Sequence, residues 1–211
     1  MTNTTSFKNS SAYVGLLLGT ITFFCLVFVF ITRQATSEAI NEVNSSAQNK
    51  AFKELLEGIT YNNNPLKSCY LIDGLGKKDH KIYVAKFNDT PVAYITYYDV
   101  AGGYSTPFSM VASVDSRTGT INYVDVVEFN ETPGLGDKIL RKKGNYLDSF
   151  KGVNLSNRKF EVKKDGGDFD FFTGATVTPR AVVRSTRVML ERISSVSLDK
   201  LTPCEASDNG R

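Results

Sequence analysis

Residues 9–32 contain no Asp, Glu, Lys, Arg or His, and residues 12–31 form an apolar run of 20. As a helix rising about 1.5 Å per residue, that run covers roughly 30 Å, the hydrocarbon thickness of a bilayer. A buried core helix of this length would normally show one polar face. A secretory signal peptide has a shorter apolar core and ends in a small-x-small site, of which Ala35-Thr36-Ser37 is a weak version. Residues 12–32 are therefore predicted to be a retained transmembrane helix, with residues 1–11 ahead of it. Lys8 and the α-amine precede the span and Arg33 follows it directly, so the flanking charges leave its orientation close to a tie.

The remainder is long enough for one soluble domain. Of 211 residues, 41% are hydrophobic and 22% charged, which suits a folded core and argues against wholesale disorder. A net charge of +3 is too mild to imply nucleic acid as a partner. The single histidine, His80, excludes multi-histidine metal centres. Without a CxxC pair, Cys25, Cys69 and Cys204 make zinc ribbons, self-held iron–sulfur clusters and thioredoxin chemistry poor expectations. His80 sits in the charged run Lys77-Lys78-Asp79-His80-Lys81 and is expected to be solvated in a turn. No metal ligands and no catalytic side chain are expected.

Residues 37–59 carry Ile40, Val43, Ala47, Ala51 and Leu55 at spacings of three and four, which predicts a membrane-proximal helix within residues 33–60. The period then falls to two. Residues 82–87, 92–100, 108–115 and 120–129 are predicted strands, and residues 88–91 (NDTP) and 115–119 (DSRTG) are turns. A short helix is expected over 136–150 and a longer one over 179–193, with Pro179 at its first position and Thr178 before it as a cap. The layout is α+β: an antiparallel sheet flanked by helices over residues 61–211, behind one N-terminal span.

Two segments concentrate glycines and hydroxyls. Residues 131–138 read ETPGLGDK, where glycines permit close backbone approach and Pro133 stiffens the loop. The same residues also suit a tight strand-to-helix connection. Residues 170–179 read DFFTGATVTP, with three threonines ahead of a helix. Free N–H groups at a helix start favour phosphate, and Arg180 and Arg184 could add charge or simply be solvated. Thr178 has two readings, as an N-cap or as the carrier of a phosphoryl group.

TGATVT, with Asp170 three residues before its first Thr, resembles the flavinylation motif of the FMN-binding subunits of the Rnf (Rsx) electron transport complex and the Na⁺-translocating NADH:quinone reductase. ETPGLGDKI resembles that family's other hallmark. SCYLI at 68–72, VKKDGGDFD at 162–170 and TGATVTPRAVV at 173–183 are most similar to its Rnf G subunits. The resemblance implies an FMN covalently esterified through its phosphate to Thr178, with Asp170, Thr173, Gly174, Ala175, Thr176 and Val177 in the remaining motif positions. It implies Glu131, Thr132, Pro133, Gly134, Leu135, Gly136 and Lys138 on the opposite side of the pocket, and Tyr104 flanking the ring. It further implies a separate flavin transferase using FAD, other subunits of a membrane complex as partners, and electron passage coupled to ion movement. Such a complex exchanges electrons between ferredoxin and NAD⁺ or keeps a redox-sensing regulator reduced. The alternative is an anchored assembly or sensor module without functional flavin.

Cys25 lies in the span and serves as a small apolar residue. Cys69 and Cys204 are either a disulfide or two buried thiols. The resemblance places the soluble domain in the periplasm of a bacterium whose inner membrane is crossed once, with residues 1–11 in the cytoplasm.

Overall fold

The computed structural model describes residues 11–76, 80–104, 107–129, 134 and 136–204. Residues 1–10 of the expected N-terminal segment lie outside the described residues. Helix α1 (Ser11–Leu55) is a single 45-residue element that takes in the expected span and runs on into the membrane-proximal residues. Its apolar part, Tyr13–Arg33, is 21 residues long, has no buried residue, and is sufficient in length and composition to cross a membrane. Hydroxyls within it are hidden against their own backbone: Thr20 donates to the Leu17 carbonyl at 2.9 Å and Thr22 to that of Leu18 at 2.8 Å. Such back-bonding masks a polar group where no water is available. The helix continues without a break through Ala35-Thr36-Ser37. By packing, the chain divides between Ala51 and Phe52 into two units.

In the second unit six strands form one antiparallel sheet. They are β1 (Cys69–Ile72), β2 (His80–Phe87), β3 (Thr90–Val100), β4 (Phe108–Asp115), β5 (Ile121–Glu128) and β6 (Thr202–Pro203), in spatial order β5-β4-β3-β2-β1-β6. Asn88 (φ +50°) and Asp89 (φ +61°) make the two-residue loop between β2 and β3, the left-handed geometry that matches strand twist in tight hairpins. At the β4–β5 turn, Asp115 Oδ1 accepts from the amides of Arg117 (3.0 Å) and Thr118 (2.8 Å).

Both faces of the sheet are covered, which explains why Ile82, Tyr83, Val84 and Ala85 are all buried and do not alternate. One face carries Tyr83, Ala85, Ala93, Ile95 and Val111 against Phe52, Leu55 and Leu56 at the end of α1. The other carries Ile82, Tyr98, Met110, Ala112 and Val124 against α2 (Val177–Ser194) and the 139–169 segment.

Two sequence expectations are corrected here, and two strands are added to those expected. Residues 136–150 do not make one helix but three short 3₁₀ turns, at Asp137–Ile139, Arg141–Lys143 and Tyr146–Phe150. Gly144 and Asn145 interrupt the run, and Arg141 is pulled out of register by a hydrogen bond to the Val124 carbonyl (2.9 Å), an ion pair with Asp148 and a stack on Tyr123 (4.4 Å). His80 is not in a solvated turn: it opens β2, its side chain only 15% exposed and its Nε2 3.5 Å from Asp99. β1 and β6 are strands that the sequence pattern does not announce, because each is too short to declare a period.

The structure joins Cys69 to Cys204, Cα atoms 5.4 Å apart. The bridge fastens the two-residue β6 to the sheet edge at β1, where Tyr70 faces Pro203 and Leu71 faces Thr202.

Candidate functional site

The start of α2 follows from local sequence. Gly174 adopts φ +81°, a conformation that costs a glycine little, and turns the chain so that the Ala175 amide donates to the Phe172 carbonyl at 2.9 Å. Helix begins at Val177 after Thr176, whose side chain makes no capping bond. Thr178 is therefore not the cap but the second helical residue, and Pro179 is the third, not the first. Pro179 still falls where an amide would lack an intrahelical partner, so the missing N–H costs nothing. The amides of Val177 and Thr178 are left as the unpaired donors of the helix start, where the dipole favours an anion. Thr178 is 2% exposed and lies on the stripe that continues through Ala181, Val182, Thr186 and Met189 into the core. That stripe is held to the sheet by the buried Tyr98 hydroxyl, 3.0 Å from Thr186 Oγ1.

Arg180 and Arg184 do not turn toward the helix start. Arg180 forks onto Asp165, Nε to Oδ2 at 2.5 Å and Nη2 to Oδ1 at 2.9 Å. Arg184 meets Glu161 at 3.1 Å. The Asp165 carboxyl is held below the ordinary carboxylate range, chiefly by the Arg180 hydrogen bond. The acids belong to the turn at residues 161–169, closed by the Lys163 amide donating to the Phe169 carbonyl at 2.7 Å. Gly167 is packed so tightly on the Glu161 backbone that a Cβ there would overlap it. The Asp165–Arg180 fork thus closes a ring around the whole 170–178 segment, and neither Asp165 nor Glu161 stands out in sequence, because each reads as an ordinary surface acid.

A cleft of about 580 Å³ opens beside this ring, lined by Lys138, Lys143, Asn145, Tyr146, Asp170 and Phe172 among others. That volume lies within the range of small-molecule and cofactor sites. Lys138 Nζ stands 6.0 Å from the centre of the Phe172 ring, so one residue of the 131–138 segment meets the 170–178 segment across the cleft. Asp170 pairs with Lys163 at 2.6 Å. Beneath the cleft an aromatic layer runs from Phe172 to Tyr146 (5.2 Å), on to Phe150 (5.9 Å) and Phe169 (4.6 Å from Phe150).

Of the expected site residues, Lys138 and Asp170 line the cleft. Thr173, Gly174, Ala175, Thr176, Val177 and Thr178 belong to the adjoining loop and helix start. Gly134, at φ +85°, donates its amide to Asp137 Oδ1 at 2.9 Å, and Gly136 opens the 3₁₀ turn at 137–139. Glu131, Thr132, Pro133 and Leu135 lie outside the described residues. Tyr104 is 61% exposed and does not line the cleft. Its loop instead contributes Ala101 and Pro107 to a second groove of about 370 Å³. Tyr146 and Phe172 join the site without having been expected there. Phe172 sits inside the 170–179 segment as an apparent bystander, and Tyr146 carries no motif signal. Among the described residues no cluster of three or more metal-ligating side chains occurs.

The donor set suits a flavin mononucleotide: unpaired amides at a helix start and a lysine for the phosphate, aromatic faces for the ring, and a buried Tyr146 hydroxyl without a hydrogen-bond partner among the described residues.

The family model described as FMN-binding domain matches residues 103–191, a range that takes in both motif segments. The G subunit of the ion-translocating oxidoreductase complex of Salmonella typhi is 42% identical over 162 residues, 74% of this chain and 78% of that protein. Its namesake from Buchnera aphidicola is 36% identical over 199 residues, 90% and 92% of the two chains. Among solved structures, the C subunit of the Na⁺-translocating NADH-quinone reductase from Parabacteroides distasonis matches at 27% identity and a TM-score of 0.42, covering 56% of this chain and 65% of its own.

Proposed function

The chain belongs to the G subunits of ion-translocating oxidoreductase complexes, and we propose that it serves such a complex as a membrane-anchored flavoprotein carrying FMN on Thr178. One observation carries this reading: a single FMN-binding domain encloses both the 131–138 and the 170–178 segments.

The linkage is a phosphoester. A separate flavin transferase joins Thr178 Oγ1 to the FMN phosphorus of FAD, breaks the pyrophosphate, releases AMP and takes up the hydroxyl proton on its own base. A threonine hydroxyl is a poor nucleophile without an activating base, which the transferase supplies. The amides of Val177 and Thr178 receive the phosphate, and Lys138 adds positive charge from across the cleft. Asp170, Thr173, Gly174, Ala175 and Thr176 shape the loop, and Gly134 and Gly136 set the turn that leads to Lys138. When bound, FMN accepts and passes on electrons; the protein tethers it, orients it and sets its electrostatic surroundings.

Residues 12–32 anchor the protein in the bacterial inner membrane, with residues 1–11 in the cytoplasm and residues 61–211 as the FMN-binding domain in the periplasm. The Cys69–Cys204 bridge supports that orientation, since disulfides persist in oxidising compartments. The other subunits of the complex are its partners there. The complex couples electron exchange between ferredoxin and NAD⁺ to ion transport, or keeps a redox-sensing regulator reduced.

The test is flavin fluorescence of the denatured protein band after coexpression with a flavin transferase. Wild type should fluoresce and Thr178→Ala should be dark. Fluorescence of equal strength in both would sink the assignment of Thr178.

A further inference from the structure

Tyr146 is 7% exposed, and its hydroxyl is buried with no hydrogen-bond partner among the described residues. Leaving a buried hydroxyl unsatisfied is destabilising, so folded proteins rarely keep one without a use for it. The residue also forms part of the wall of the 580 Å³ cleft, beside Lys138, Asp170 and Phe172. Its ring is fixed on two sides, by Phe172 at 5.2 Å and Phe150 at 5.9 Å. The side chain is thus rigid, and its one polar atom is spare. Burial, with the nearby Asp170 charge adding to it, pushes the phenol well above its ordinary range, which keeps the hydroxyl protonated at any physiological pH.

We propose that Tyr146 is a further cofactor-binding residue, its hydroxyl donating a hydrogen bond to an acceptor oxygen of the bound flavin mononucleotide. The inference rests on the flavin reading of this cleft and adds a contact that the two motifs do not contain. Its consequence is a change of sign. Without flavin the Tyr146 hydroxyl is a liability, and Tyr146→Phe should match or exceed wild type in stability. With flavin attached the same hydroxyl is satisfied, and its loss should be felt.

The experiment is differential scanning calorimetry of the full chain in detergent, for wild type and Tyr146→Phe, each made with and without a flavin transferase. Intact mass verifies the flavin load. Expected is a Tm for flavin-free Tyr146→Phe equal to or above that of wild type, and a rise in Tm on flavinylation that is clearly smaller in the variant. Equal rises in the two proteins would overturn the Tyr146 assignment while leaving the flavin reading intact. A wild type that takes up no flavin would overturn both. If Tyr146→Phe fails to fold without flavin, the hydroxyl has a structural partner and the assignment falls.

Discussion

Asp165 and Arg180 are the residues whose role is plainest from geometry and least visible in sequence. Their fork closes the segment that carries Thr178. Asp165 has its carboxyl lowered by Arg180. A lowered folded value means that the pair contributes stability above the unfolded carboxylate range, near pH 3.9, and loses it as pH falls through the lower folded value. Asp165→Asn should therefore lower Tm by a constant amount between pH 8 and pH 5, and the gap to wild type should close below pH 4. A gap that narrows already between pH 7 and pH 5 would contradict this pairing. Gly167 gives a second check. Because its α-carbon lies against the Glu161 backbone, Gly167→Ala has to displace the turn, at about 1–3 kcal/mol. Chemical denaturation should show that loss, and an unchanged midpoint would refute the close approach.

Among elements, α2 decides where the site is. Its legibility in the sequence is uneven for physical reasons. Periodicity locates the helix to within two residues, because Val182, Thr186, Met189 and Ile193 form a buried stripe. It misplaces Thr178, because Pro179 suggests a first position while the turn at Gly174 starts the helix two residues earlier. The four longer strands are legible through their β-branched and aromatic content. β1 and β6 are not, since four and two residues carry no period. The cleft is half legible: Lys138 and Asp170 sit in motifs, whereas Tyr146 enters through a 3₁₀ run whose hydrophobic spacing imitates an α-helix. The contact of α2 with the sheet is itself testable. Thr186→Val leaves the buried Tyr98 hydroxyl with only the weak acceptor Met110 Sδ at 3.8 Å and should cost about 1 kcal/mol. A neutral effect in urea denaturation would show that this bond does not hold the helix.

At the scale of the whole molecule, the Cys69–Cys204 bridge spans 135 residues of sequence, nearly all of the sheet-bearing unit. Chain-entropy reasoning assigns such a loop about 4–5 kcal/mol. Reduction, or Cys69→Ser with Cys204→Ser, should lower Tm by several degrees and first free the β6 edge, which hydrogen exchange at Tyr70 and Leu71 would report. No change in exchange there would mean that β6 holds without its bridge. The molecule has few reactive side chains, with one histidine and no metal cluster among the described residues. That scarcity is consistent with a redox protein whose chemistry resides in a tethered cofactor, positioned by an anchor, a two-faced sheet and one helix start.

The most direct measurement is peptide mass spectrometry of the full chain coexpressed with a flavin transferase. One FMN, joined through its phosphate to Thr178, is expected on the peptide that follows Lys164. An unmodified Thr178 peptide, or FMN found on Thr173 or Thr176 instead, would contradict the assignment.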